Sequence, residues 1–241
     1  YGEITYIDQC VGRILDALEA AGEAENTLIC HFSDHGEHLG DHHAWQKETF
    51  FEASARIPLV LRWPGQLPAG ERRDDLVCLT DLFGAATAAA GEAELRDGID
   101  LLGLARGTAT GRDCLVGFHG QPGTRRSTFM LREGRWKYVF MANGGREQLF
   151  DLETNPEETD ELTAAEPAVH ERLRNQLVEE LHARGIDAAL DDGDLWSTPF
   201  EPYERFRVEQ MATWKGVEGF PDDPPSVVDE YELGSADARL E

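Results

Sequence analysis

The sequence predicts an α/β protein with a small antiparallel sheet and helix behind it. Three observations carry that prediction. Apolar residues recur at helical spacing near the start (Ile4, Ile7, Val11, Ile14, Leu15, Leu18) and again at Val169, Leu173, Leu177 and Leu181. Two short, nearly continuous apolar runs, Thr27 to Ser33 and Ile57 to Trp63, lie between the first helix and a later one. After about residue 112, short β-type runs follow one another through Gly-rich turns. The domain reading is an α/β part over 1–112, an antiparallel-sheet-plus-helix part over 113–190, and an acidic, aromatic-containing extended tail over 191–241.

Each element has its own signal. The first helix spans about residues 3–21, with Gly22 as its stop. The Thr27–Ser33 run reads as a strand covered on both faces, as in a parallel sheet. A histidine-rich loop comes next, then the Ile57–Trp63 strand, closed by Pro64-Gly65. Thr80 to Ala90 reads as a helix capped by Thr80 or Asp81 and ended by Gly91. Strands are expected at Cys114–His119, Ser127–Arg132, Trp136–Met141 and Gln148–Leu152, with Gly134 and Asn143-Gly144-Gly145 between them. A helix runs from about Pro167 to Arg184. From Asp191 the chain is loop-like, yet it holds Trp196, Phe200, Tyr203, Phe206, Trp214 and Phe220. Disordered tails are poor in aromatics, so this one is expected to lie on a body or to join two copies into a homo-oligomer.

The formal net charge of −25 over 241 residues excludes the basic footprint that nucleic acid requires. It equally disfavours an anionic membrane surface. A small anionic substrate would need a local cation to overcome the global field. Cys10, Cys30, Cys78 and Cys114 are too widely spaced for a disulfide framework or a zinc ribbon, and buried thiols are expected. No apolar run is long enough to span a bilayer, and no secretory signal opens the chain. The expectation is a cytoplasmic protein. Tyr1 in place of Met suggests a processed product or a piece of a longer chain.

Five of the eight histidines fall between residues 31 and 43. Asp34 and His35 stand just past the first strand, where α/β sheets bind ligands. On an irregular loop, neighbouring side chains can turn toward one ion, and Gly36 lets the backbone turn after them. Zn²⁺ and Mn²⁺ commonly take a carboxylate and an imidazole, whereas Ca²⁺ prefers oxygen alone. The plainer alternative is an Asx turn beside a solvated histidine. His31, inside the strand, is expected to be buried and hydrogen-bonded. Gly36 and Gly40 break any helix that would unite the His-x-x-x-His pairs, and no His-Glu-x-x-His occurs, so a zinc protease is rejected. His42 and His43 either line a pocket and orient ligands or are simply exposed, and the roles of His38 and His119 stay open. Lys47 is either a solvated charge or a grip on one oxygen of a tetrahedral anion.

The stretch Ser33-Asp34-His35-Gly36-Glu37-His38-Leu39-Gly40-Asp41-His42, with Lys47, Phe51-Glu52 and Arg56-Ile57-Pro58-Leu59-Val60, resembles the C-terminal part of the sulfatase family. That family lies in the alkaline phosphatase superfamily and includes relatives that cleave phosphonate monoesters. Ile7-Asp8, Val11-Gly12-Arg13, Gly134-Arg135-Trp136-Lys137-Tyr138, Gln148 to Leu152 and Asn155-Pro156-Glu157-Glu158 extend the resemblance over about residues 1–185. It implies the C-terminal part of an alkaline-phosphatase-like mixed sheet with flanking helices. Asp34 and His35 would be metal ligands and Lys47 the sulfate-contacting, catalytic lysine. The implied ion is Ca²⁺ first, with Mn²⁺ or Zn²⁺ as alternatives. The implied substrate is a small anionic sulfate ester, with phosphonate or phosphate ester hydrolysis as the near alternative, and a non-catalytic module that keeps the fold as another. The family's nucleophile is a formylglycine made within Cys/Ser-x-Pro/Ala-x-Arg, and no cysteine here has that context. An early Asp-Asp metal pair is likewise missing. The chain is therefore expected to hold half a metal site and to be inactive alone, with formylglycine upstream.

Overall fold

The computed structural model describes residues 1–92 and 94–201. Tyr203, Phe206, Trp214 and Phe220, and with them the expected tail-mediated association, lie outside the described residues. In chain order the elements are α1 (Gly2–Ala20), β1 (Ile29–Phe32), α2 (Glu52–Ala55), β2 (Leu59–Arg62), α3 (Asp81–Ala89), α4 (Leu101–Arg106), β3 (Cys114–His119), β4 (Thr128–Glu133), β5 (Trp136–Met141), β6 (Arg146–Asp151), α5 (Pro167–Ala183), β7 (Leu190–Asp191) and β8 (Asp194–Leu195). This mixed α/β set forms two compact units. One joins Tyr1–Asp34 to Pro58–Asp113, and the other joins His35–Ile57 to the chain from Cys114 onward.

In the first unit, α1 closes at Gly22, which takes φ 72°, and Glu23 N–H returns to the Leu18 carbonyl at 3.1 Å. β1 pairs antiparallel with β2, from Ile29 opposite Arg62 to Phe32 opposite Leu59. The parallel, doubly covered strand expected from the apolar run is thus corrected. One face of the pair holds Leu59 and Leu61, which pack with Leu28 on the Ala85, Leu101 and Leu102 core. Phe32 and Val60 stay exposed, and so does His31, which was expected inside. Alternation puts the paired His31 and Val60 on the outer face, while Phe32, opposite Leu59 on the packed face, is exposed as the last residue of β1.

Asp81 opens α3 with a fully buried carboxylate. It accepts the Cys78 and Ile99 N–H groups at 2.7 and 3.0 Å and pairs with Arg112. The short α4 has no counterpart in the sequence reading. Asp100 caps it by accepting Gly103 N–H at 2.8 Å, and Gly107 ends it at φ 72°. Fewer than two turns give too little period to detect.

In the second unit, β3–β4–β5–β6 form an antiparallel meander. Strand alternation sorts its residues into two faces. Phe129, Leu131, Tyr138, Phe140 and Leu149 face Leu173, Leu177 and Leu181 of α5 and make the main core. The opposite face carries Met130, Lys137, Val139 and Phe150, all buried. It is covered by the 50–55 segment: the Phe51 and Phe150 rings lie 5.7 Å apart, and a Cβ on Gly117 would meet the Phe50 ring at 2.8 Å. The small β7–β8 hairpin turns at Gly193, φ 84°, in a region expected to be loop. All four cysteines are free and half-buried, not fully buried as expected. Burial still raises the Cys30 thiol above its ordinary range.

Candidate functional site

The loop after β1 folds back on itself between residues 37 and 46. His38 N–H donates to the Gln46 carbonyl at 2.9 Å, Gly40 N–H to the Ala44 carbonyl at 3.0 Å, and Gln46 N–H to the Glu37 carboxylate. Leu39, His42, His43 and Gln46 all take positive φ, between 51° and 68°. Four non-glycine residues in this region within eight positions mark a strained, over-determined loop of the kind found at functional sites.

The loop is then tied to the following segment. Gly36 N–H donates to the Ser54 carbonyl at 2.7 Å, and the buried Ser54 hydroxyl donates to the Lys47 carbonyl. Gly36 itself is not in the left-handed region. It is glycine because a Cβ there would sit 2.0 Å from the Ala53 carbonyl oxygen.

These ties bring together two of the three predicted site residues, twelve positions apart in sequence. Lys47 Nζ lies 2.6 Å from His35 Nε2. His35 Nδ1 lies 2.7 Å from the Gly36 carbonyl oxygen. A carbonyl can only accept, so Nδ1 carries the proton. Nε2 is then a lone-pair acceptor, and the lysine donates to it. Asp34, the third residue, is exposed and is the last residue of the other unit's N-terminal segment.

The other histidines separate by environment. His38 is 1% exposed and binds the Thr49 hydroxyl through Nε2 at 2.7 Å. Burial, and then the neighbouring His42, hold its imidazole below the ordinary range. His42 stacks flat on Phe51, with ring centroids 3.8 Å apart. His43 is exposed, and His119 is exposed at the end of β3. Thr49, Phe51 and Ser54 shape this loop and were not singled out as site residues by sequence, because hydroxyl and aromatic groups carry no motif of their own.

The donor chemistry fits a divalent ion. A histidine whose Nδ1–H is fixed on a backbone carbonyl presents a bare Nε2, the usual arrangement for a ligating imidazole. In this structure the Lys47 ammonium occupies that lone pair, so an ion would reach Nε2 only with the lysine moved aside. The set is incomplete: among the described residues no group of three or more His, Cys, Asp or Glu is placed to hold an ion.

The family model described as Sulfatase matches residues 1–92. Choline-sulfatase of Rhizobium meliloti (strain 1021) is 35% identical over 170 residues, covering 67% of this chain and 32% of that protein. A phosphonate monoester hydrolase of Agrobacterium radiobacter superposes with TM-score 0.67 at 28% identity, covering 84% of this chain and 44% of the other. A structure solved with its substrate D-glucosamine-2-N,6-O-disulfate gives TM-score 0.68 at 25% identity, covering 76% and 40%. The chain spans less than half the length of the relatives it matches. A Sulfatase model, sulfatase sequences and a shared mixed α/β fold agree, and the chain belongs to the sulfatase family of the alkaline phosphatase superfamily.

Proposed function

We propose that these residues form part of the active site of a metal-dependent sulfuric ester hydrolase. Lys47 contacts the sulfate group, and the sequence neighbours Asp34 and His35 bind a divalent ion, with Ca²⁺ first and Mn²⁺ or Zn²⁺ as alternatives. The observation that supports this reading is the Lys47–His35 contact at 2.6 Å, with the tautomer of His35 fixed by the Gly36 carbonyl. When bound, the ion would supply positive charge to the ester oxygens. The chain's own contribution is local. Gly36 holds the His35 ring in one tautomer. The Ser54 hydroxyl holds the Lys47 backbone, and so sets where the ammonium starts from. An ammonium placed beside a developing oxyanion stabilises it without reorganising. A formylglycine nucleophile belongs to the same proposal, but none of the four cysteines has the sequence context for it.

Hydrolysis of a phosphonate or phosphate ester is the second reading, and the phosphonate monoester hydrolase neighbours favour it. Both ester types present tetrahedral anionic oxygens to the same lysine. Steady-state turnover of an aryl sulfate and of a phenyl phosphonate monoester by the complete gene product decides between them. Lys47→Ala is expected to lower turnover of the preferred ester about 100-fold. Unchanged turnover of both would remove Lys47 from the site, and no turnover of either by the unsubstituted protein would favour a non-catalytic module.

A further inference from the structure

A buried ion cluster lies under the segment that carries Lys47. Lys137, on β5, is 1% exposed, and Glu158 is 3% exposed. Three oxygens surround the Lys137 ammonium: the Phe50 carbonyl at 2.7 Å, Glu52 Oε1 at 2.6 Å and Glu158 Oε1 at 2.8 Å. Glu158 Oε2 accepts the Glu52 backbone N–H at 2.5 Å, and Arg132 Nη1 reaches Glu52 Oε1 at 3.3 Å. Two cations face two carboxylates, so the cluster is neutral as a whole. Arg132 and Lys137 are directly paired across β4 and β5, so both project from the same sheet face.

From this cluster, bonds run outward to the site. Phe50 and Glu52 are held at the start of α2. Two residues on, Ser54 gives its hydroxyl to the Lys47 carbonyl and its own carbonyl to Gly36 N–H. Gly36 in turn fixes the His35 ring. The backbone flanks of both site residues therefore end on the one element that the Lys137 ammonium grips. Packing alone would give a simpler answer, because an apolar residue on this face would also fill the space. It would not bind the Phe50 carbonyl, and it would leave two glutamates against a single arginine.

We infer that Lys137 is a positioning residue for the His35–Lys47 pair, acting through Phe50, Glu52 and Ser54. The inference rests on the proposed reading of that pair as the site, but its test does not require activity. Lys137→Met alone buries unpaired carboxylate charge and can unfold the protein. The charge-balanced Lys137→Met/Glu158→Gln protein removes one charge of each sign and still leaves the Phe50 carbonyl without its donor. Amide hydrogen exchange on the complete gene product is the readout. Exchange at Gly36 and at residues 51–55 is expected to rise at least about 10-fold in the double variant, while the β4–β5 amides keep their protection. The His35 ring nitrogens, read by ¹⁵N NMR, are expected to shift from a single Nδ1–H tautomer towards a mixture. Loop exchange and a tautomer equal to the unsubstituted protein would overturn the inference. A uniform rise over loop and sheet would overturn it too, since that marks a purely structural role. If Lys47→Ala fails to affect turnover while the exchange pattern holds, the functional reading fails and the positioning does not.

Discussion

At Gly36 the absence of a methyl group allows the conformation of the histidine-rich loop. The Ala53 carbonyl oxygen occupies the place a Cβ would need, so Gly36→Ala must push the loop away from α2. The expected cost is about 1–3 kcal/mol, read as a lower urea midpoint at unchanged slope. His38 supplies a pH signature. Its imidazole is held below the ordinary value of 6.5, so it is neutral in the fold and binds a proton more readily when unfolded. Its contribution to stability is present above that ordinary value and is lost as pH falls towards the folded one. Urea midpoints measured between about pH 7.5 and 5 are expected to fall in the unsubstituted protein and to change less in His38→Gln, which keeps a polar partner for Thr49 without titrating. The sequence exposed the chemistry of this loop but not its division of labour. Asp34, His35 and Lys47 stand out because charge and imidazole are rare together. That His42 stacks on Phe51 while His38 lies buried depends on the positive φ values at Leu39, His42, His43 and Gln46, which no residue type there announces.

Among the elements, α5 and the meander were legible because each shows its period cleanly. Leu173, Leu177 and Leu181 repeat every four residues and are all fully buried, and β3 and β5 begin and end where alternation and turn glycines set them. Leu177→Ala is expected to cost about 2–5 kcal/mol, checked by denaturant unfolding, since the surrounding core can relax only partly into the space left. The short elements escaped. α2 and α4 hold four and six residues, and each is fixed by a tertiary partner more than by its own pattern. The Thr27–Ser33 run misled in a different way. A continuous apolar run states that a strand is attractive to a core but not which way its neighbour runs, and here β2 returns antiparallel to it.

Over the whole molecule, the sequence neighbours Asp34 and His35 fall in different units of the chain, and the formal charge of −25 works against any anion that approaches. The 241-residue chain alone is expected to bind Ca²⁺ or Mn²⁺ weakly, because its described residues offer no three-ligand group. Isothermal calorimetry checks this, and tight stoichiometric binding would show a complete centre. The same chain is expected to leave an aryl sulfate intact, since none of its four cysteines has the sequence context of the nucleophile. Fold class was legible at this scale because the order of local helix and strand periods along the chain is itself the α/β-then-meander pattern. The buried Lys137 was not, since nothing in Gly134-Arg135-Trp136-Lys137-Tyr138 tells which alternate residue points inward when both faces of a sheet are covered. That lysine also guards against misassembly. If β5 slipped by one residue, its ammonium would enter the leucine layer under α5, and the Tyr138 ring would be driven among the glutamates. A mispaired hairpin would then carry a stranded charge in hydrocarbon, so the cluster penalises that register.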